Sequence, residues 1–230
     1  MTTNEDKIII DQYLSYLDNK AFPCIAAKAA LAKKHIRCMV VDHMACPKDD
    51  AAILHYLYNF IDEYRRADDF FYSAAIIFKG PTTITESIFD QLLWQRLQSL
   101  ANMDAQQYSY DKRVSNDPAS GSFSFSLKEE ALFIIGLHPV SSREARRFAY
   151  PTLAFNPHAQ FEKLRNENRY DKMKEVVRKR DTLYSGSVNP MLADFGEASE
   201  VYQYSGVQYD SDWQCPLKIN HATSQHHSTP

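Results

Sequence analysis

Ala131-Leu-Phe-Ile-Ile-Gly-Leu137 runs directly into His138-Pro-Val-Ser-Ser-Arg-Glu-Ala-Arg-Arg-Phe148. The first seven residues are apolar and β-prone, so they read as a buried strand. Pro139 stops that strand, because proline cannot donate to a ladder, and leaves His138 at its end. Ser141 then stands three residues before Glu144, the spacing of a capping box, which predicts a helix N-terminus. On that helix Arg143, Arg146 and Arg147 fall at i, i+3 and i+4, on one face. An imidazole, a helix start and three guanidiniums therefore converge on a single strand end.

Working outward, Phe123-Ser-Phe-Ser126 alternates as a half-buried strand does and pairs with 131–137 as a hairpin. Pro151–Phe155 is a further strand. Asn156 and Pro157 read as N-cap and first residue of a helix carrying Phe161 and Leu164. Residues 170–180 continue helically with Met173, Val176 and Val177 inward. Upstream, residues 6–19 form an amphipathic helix through Ile9, Tyr13, Tyr16 and Leu17, and a second starts near Pro23. Residues 35–43 and 70–78 read as strands, and 49–66 as a helix. Thr83-Ile-Thr-Glu86 caps another that bears Phe89, Leu92, Leu93, Leu97 and Leu100. Helices clustered among short strands predict an α+β fold: one domain over residues 1–217, with a largely antiparallel sheet flanked by helices. Residues 218–230 are polar toward their end and read as a disordered tail.

Composition narrows the function. Six glycines and no Gly-rich phosphate motif argue against a nucleotide fold. A net charge of −3 gives no reason to expect nucleic acid as a partner. No apolar run spans a bilayer, the N-terminus is polar, and four cysteines suit reduced thiols. The expectation is a cytoplasmic protein without a membrane partner.

His35, Cys38, His43 and Cys46 have the residue types of a zinc site, but positions three apart on a strand face opposite ways, which favours a core strand. His226 and His227 lie in the tail. His138 reads either as a backbone-bonded strand-end histidine or as a metal or cofactor ligand, with His158 at the next helix start able to share its pocket. Arginines without lysine suit forked recognition of carboxylate or phosphate. Heme, with two propionates and an iron, is one ligand that would use both. Cys24, in Phe22-Pro-Cys at a helix start, is expected to have a lowered pKa, and reads as packing, nucleophile or thiolate ligand. Glu197, Glu200 and Gln203 are spaced for one helical face that would suit a cationic group.

The residues also carry a resemblance. In order, they are Phe22-Pro-Cys24, Leu93-Trp-Gln-Arg-Leu-Gln98 with Asp104, Asp117-Pro118, Phe123–Ser126, and the long motif Gly136–Phe148. Phe155-Asn-x-His-x-Gln-Phe-Glu-x-Leu-Arg165, Asn189-Pro-Met-Leu192 and Gln203-Tyr-Ser-Gly206 follow. Over residues 20–217 this series resembles the YqcI/YcgG family. Its members of known activity are heme-dependent N-hydroxylases acting on the guanidine nitrogen of arginine-like amino acids in natural-product pathways. The resemblance implies heme b, a guanidine-bearing small-molecule substrate, and dioxygen with an electron donor, or peroxide; a homodimer stays open. It makes His138 the first choice of axial ligand, His158 the second and Cys24 the third, with Arg143, Arg146 and Arg147 on propionates or a substrate carboxylate. Glu197 and Glu200, with Gln203, are assigned to the guanidinium by charge alone. Two other readings remain: a heme carrier or gas sensor without turnover, and a heme-free enzyme that binds an anionic metabolite and uses Cys24 as nucleophile.

Overall fold

The computed structural model describes residues 2–67, 69–187, 191 and 196–221. The apolar run forms β4 (Glu130–Leu137), which pairs antiparallel with β3 (Phe125–Leu127) and with β5 (Thr152–Pro157). The expected hairpin is present. Its turn puts Lys128 and Glu129 at φ 50° and 57°, the left-handed pair that a two-residue hairpin loop requires. Asp104 accepts from the Lys128 N–H at 2.9 Å, and Arg65 donates to both turn carbonyls, so outside contacts hold a conformation that neither residue favours.

Beyond β5 the sheet continues through β2 (Ser73–Gly80), antiparallel, to β1 (Ile36–His43), parallel, in the order β1-β2-β5-β4-β3. The sheet is thus largely antiparallel, in one α+β unit. The helices are α1 (Asn4–Asp18), α2 (Ile25–Ala32), α3 (Asp50–Arg66), α4 (Glu86–Asp104), α5 (His158–Asn166), α6 (Tyr170–Ser185) and a single turn, α7 (Val201–Tyr204). None among the described residues is long and apolar enough to cross a membrane.

Strand alternation divides the interior in two. Leu132, Ile134, Ala74, Ile76, Phe78, Leu153 and Phe155 join α3 and α4 in the larger core. Ile135, Leu137, Ala75 and Ile77 face the other way, toward Ile9, Tyr13 and Leu17 of α1. Gly136 belongs to the first set. A Cβ built there would sit 2.8 Å from a Phe89 ring carbon and 2.9 Å from Leu93 Cδ1, so only hydrogen fits between β4 and α4.

Several local expectations shift. No helix follows Ser141: Glu144–Arg146 make one 3-10 turn capped by Arg143, so the three arginines do not share a helical face. The Ser141 hydroxyl accepts from the Arg143 N–H two residues on, Glu144 turns to Arg147, and the Arg146 carbonyl accepts from the His138 N–H. The capping groups are consumed in a tight loop. The cap of α4 is Thr85, whose hydroxyl accepts from the Ile88 N–H, not Thr83. Asn156 and Pro157 remain in β5, and α5 opens at His158. Val176 of α6 is 40% exposed where an inward position was expected. Lys218 and His221, expected in a disordered tail, bond to Gln98 and Asp104 of α4; residues 222–230 lie outside the described residues.

Gly136→Ala is expected to cost about 1–3 kcal/mol, because the methyl group must displace Phe89 or Leu93 in a packed core. Equilibrium denaturation at neutral pH reads it; an unchanged midpoint would show that α4 has room to yield.

Candidate functional site

On the α1 face the sheet does not pack solidly. A cavity of about 300 Å³ lies there, at the lower end of the range for ligand sites. Its floor is Phe133, Ile135 and Leu137 of β4 with Ala154 and Asn156 of β5. Tyr13 and Leu17 of α1 and Ala26, Ala27 and Ala30 of α2 form one wall. Phe161 of α5 and Met173 and Val177 of α6 form the other, so the side chains α6 turns inward line a hollow rather than a core.

Into this apolar space project a few charged groups. His158, 4% exposed at the start of α5, is held at both nitrogens: Nδ1 lies 3.0 Å from Glu200 Oε1 and Nε2 3.2 Å from Glu162 Oε1. Glu200 is itself buried and accepts from the Tyr204 hydroxyl at 3.3 Å. The geometry is a carboxylate fixing an imidazole, which orients the ring.

Arg146 also borders the cavity and is buried. It donates to the carbonyls of Gln203 (2.6 Å), Tyr204 (2.9 Å) and Gly136 (3.4 Å). Burial pushes its pKa down to about 10, and the neighbouring Arg143 cation acts the same way. Arg143 pairs with Asp181 of α6 at 2.6 Å. Arg178 Nε is buried beside the cavity without a hydrogen-bond partner. Among the described residues Arg146 is bonded only through carbonyls, so its charge remains available to an anion.

Of the residues expected at a site, Cys24, Arg143, Arg146, His158, Glu200 and Gln203 line this one cavity. His138, Arg147 and Glu197 do not. His138 shares the parity of Gly136 and points to the opposite face of the sheet. There it is fully buried, stacked on Phe89 at 4.3 Å, with neither ring nitrogen hydrogen-bonded and Glu86 3.8 Å away. Burial pushes its pKa down to about 4. Arg147 is half-exposed and pairs with Glu144 and the Ser141 carbonyl. Glu197 is exposed in a turn, so the expected three-residue helical face reduces to Glu200 and Gln203 on either end of the α7 turn.

Cys24 caps α2 by accepting from the Ala27 N–H, yet burial raises its thiol pKa. The lowered value expected from the helix start is overturned, because desolvation outweighs the helix dipole. His35 stacks on Tyr72, and His43 Nδ1 accepts from the Ala45 N–H. No three potential metal ligands converge among the described residues. His226, His227 and most of Asn189–Leu192 lie outside those residues.

Sequence reasoning missed Glu162, Gln160 and the charged side of α6. Gln160 clasps the Tyr72 backbone, accepting from its N–H at 2.9 Å and donating to its carbonyl at 3.2 Å. Both α5 residues sit in the quoted Phe155–Arg165 motif, where their i+2 and i+4 spacing from His158 was the available signal. Within the Leu93–Gln98 motif, Arg96 pairs with buried Asp50 at 2.6 Å, and Trp94 Nε1 donates to Asp90. Asp104 accepts from the Tyr58 hydroxyl at 2.6 Å and lies 2.8 Å from His221 Nε2.

A model of the YqcI/YcgG family matches residues 13–218. A Bacillus subtilis (strain 168) protein described as "Uncharacterized protein YqcI" is 25% identical over 187 residues, covering 78% of this chain and 72% of its own length. No solved structure matches.

The position of His138 has a pH consequence. Its folded pKa near 4 lies below the ordinary 6.5, so as pH falls through that window the unfolded chain takes up the proton first. Stability is then lost by up to about 3 kcal/mol, fully by the lower limit, and none is lost above 6.5. His138→Leu should raise the melting temperature more at pH 5 than at pH 7.5; equal shifts at both would show that the ring is not kept neutral.

Proposed function

The chain belongs to the YqcI/YcgG family, and from that premise we propose that it is a heme-dependent oxygenase that N-hydroxylates a guanidine-bearing amino acid such as arginine. The observation that carries the reading is a buried histidine backed by a buried carboxylate, His158 and Glu200, in an apolar cavity whose other charged end is Arg146. The donor set suits heme b, whose macrocycle is larger than the cavity of about 300 Å³, so the thinly packed α6 would move outward to admit it. His158 would ligate through Nε2, giving up Glu162, while Glu200 keeps Nδ1 protonated and the ring fixed. Arg146, Arg143 and Arg178 would face the propionates or a substrate carboxylate. His138, sealed behind the sheet, would take no part.

When bound, heme would activate dioxygen or peroxide for oxygen transfer, chemistry that side chains lack. The protein's own contribution is binding, orientation and exclusion of water. Phe133, Ile135, Leu137 and Phe161 keep the cavity apolar, which strengthens each polar contact within it. Asp181, which already holds the Arg143 guanidinium, offers a substrate guanidinium a like-for-like exchange. Cys24, kept as a thiol by burial, is a poor ligand or nucleophile, which favours imidazole over thiolate.

Hemin reconstitution with absorption spectroscopy tests this. The parent protein and His138→Leu should show a stoichiometric Soret band, His158→Ala should lose it, and Glu200→Gln should bind hemin about 10–100-fold more weakly. With arginine and a reductant, Asp181→Asn should raise KM. A parent protein without a Soret band, or a His158→Ala variant with an unaltered one, would overturn the assignment.

A further inference from the structure

The Glu200–His158 pair is connected to the surface by an unbroken series of aromatic rings. Glu200 Oε2 accepts from the Tyr204 hydroxyl at 3.3 Å, and the Phe125 N–H donates to the same phenol oxygen at 3.0 Å. The Tyr204 ring stacks toward Trp94 with centroids 6.1 Å apart, and Trp94 faces Trp213 at 5.8 Å. Trp94 Nε1 donates to Asp90 at 3.0 Å. Tyr204 and Trp94 are buried, whereas Trp213 is only partly so. Packing alone explains rings in contact. It does not explain why the rings of this series have carboxylates at their acidic protons: Glu200 for Tyr204, and Asp90 for both Trp94 and Tyr209, whose ring stacks on Trp213 at 3.7 Å.

We propose that Trp213, Trp94 and Tyr204 form an electron path from the protein surface to the cavity, ending at the Glu200–His158 pair. The proposal rests on the oxidative reading of that cavity. One electron leaves Tyr204 toward the cavity while its phenol proton moves to Glu200. Trp94 then returns an electron to the Tyr204 oxygen and the proton comes back from Glu200, with Asp90 holding the indole proton of oxidised Trp94. Trp213 reduces Trp94, and a soluble one-electron reductant of the ascorbate class reduces Trp213. Hydrogen peroxide as terminal oxidant consumes two such electrons, with the two protons that the reductant releases, and yields two waters.

The test uses the full chain loaded with hemin and mixed with hydrogen peroxide in the absence of substrate. A nitroso spin trap and peptide mass spectrometry locate the radicals, and freeze-quench EPR identifies them. The expected result is an adduct on Trp213 in the parent protein. In Trp94→Phe that adduct is lost while the tyrosyl signal remains and the Soret band is unchanged. Should Trp94→Phe fold poorly, Trp213→Phe breaks the path at its exposed end and should leave the radical on Trp94. Equal labelling of Trp213 in the parent and Trp94→Phe proteins, or a Soret band with no Trp213 adduct, would overturn the path alone. Absence of a Soret band in the loaded parent would overturn the heme assignment and the path with it.

Discussion

One buried guanidinium holds the site together. Arg146 lies in the tight turn after β4 and pairs with no carboxylate among the described residues; it reaches across to the Gly136, Gln203 and Tyr204 carbonyls. Those bonds fix the α7 turn against the sheet. Glu200 is positioned by that turn, and His158 by Glu200. The approach is close enough that a Cβ at Gly206, a residue with φ +91°, would meet Arg146 Cδ at 2.8 Å. Hydrogen bonds to carbonyls satisfy the donors but leave the charge unpaired, which is costly in a dry interior. A fold that keeps such a charge beside an apolar cavity is well matched to an anionic ligand.

The architecture was legible because it follows from periodicity. The strand runs, the hairpin and the apolar stripes of α3 and α4 all follow from period 2 or period 3.6, and the sheet came out largely antiparallel as expected. The same rule held the answer for His138. Counting alternate residues from Leu132 through Gly136 places residue 138 on the α4 face, while the cavity lies on the face of Phe133, Ile135 and Leu137. That parity puts His138 and His158 on opposite sides of the sheet, so they do not share one pocket. His158, in a less conspicuous motif, opens the helix that borders the cavity.

What the sequence did not disclose was competition between local signals. Ser141 and Glu144 have capping-box spacing, but Pro139 and the bond from the His138 N–H to the Arg146 carbonyl close the chain too tightly for a helix. Cys24 occupies a helix start, where the dipole favours thiolate, but removal from water disfavours any charge and prevails. The contribution of α6 was hidden for a similar reason. Its apolar positions match a packed helix, yet what they face is a hollow.

That hollow ties stability to function. Helix α6 has no buried residue among its sixteen, so little apolar burial holds it against the sheet. Its anchors are polar: Asp181 to Arg143, and Arg180 to the Lys20 and Phe22 carbonyls. The Arg180 anchor is exposed and the Arg143–Asp181 pair is a single contact at the cavity edge, whereas a ligand filling the cavity would bury Met173 and Val177 and meet Arg178 at once. Binding free energy spent in this way stabilises the folded chain by mass action. The residues that recognise the ligand and those that complete the fold of α6 are then the same set, so one cavity accounts for both the thin packing of this helix and the concentration of charged groups around it.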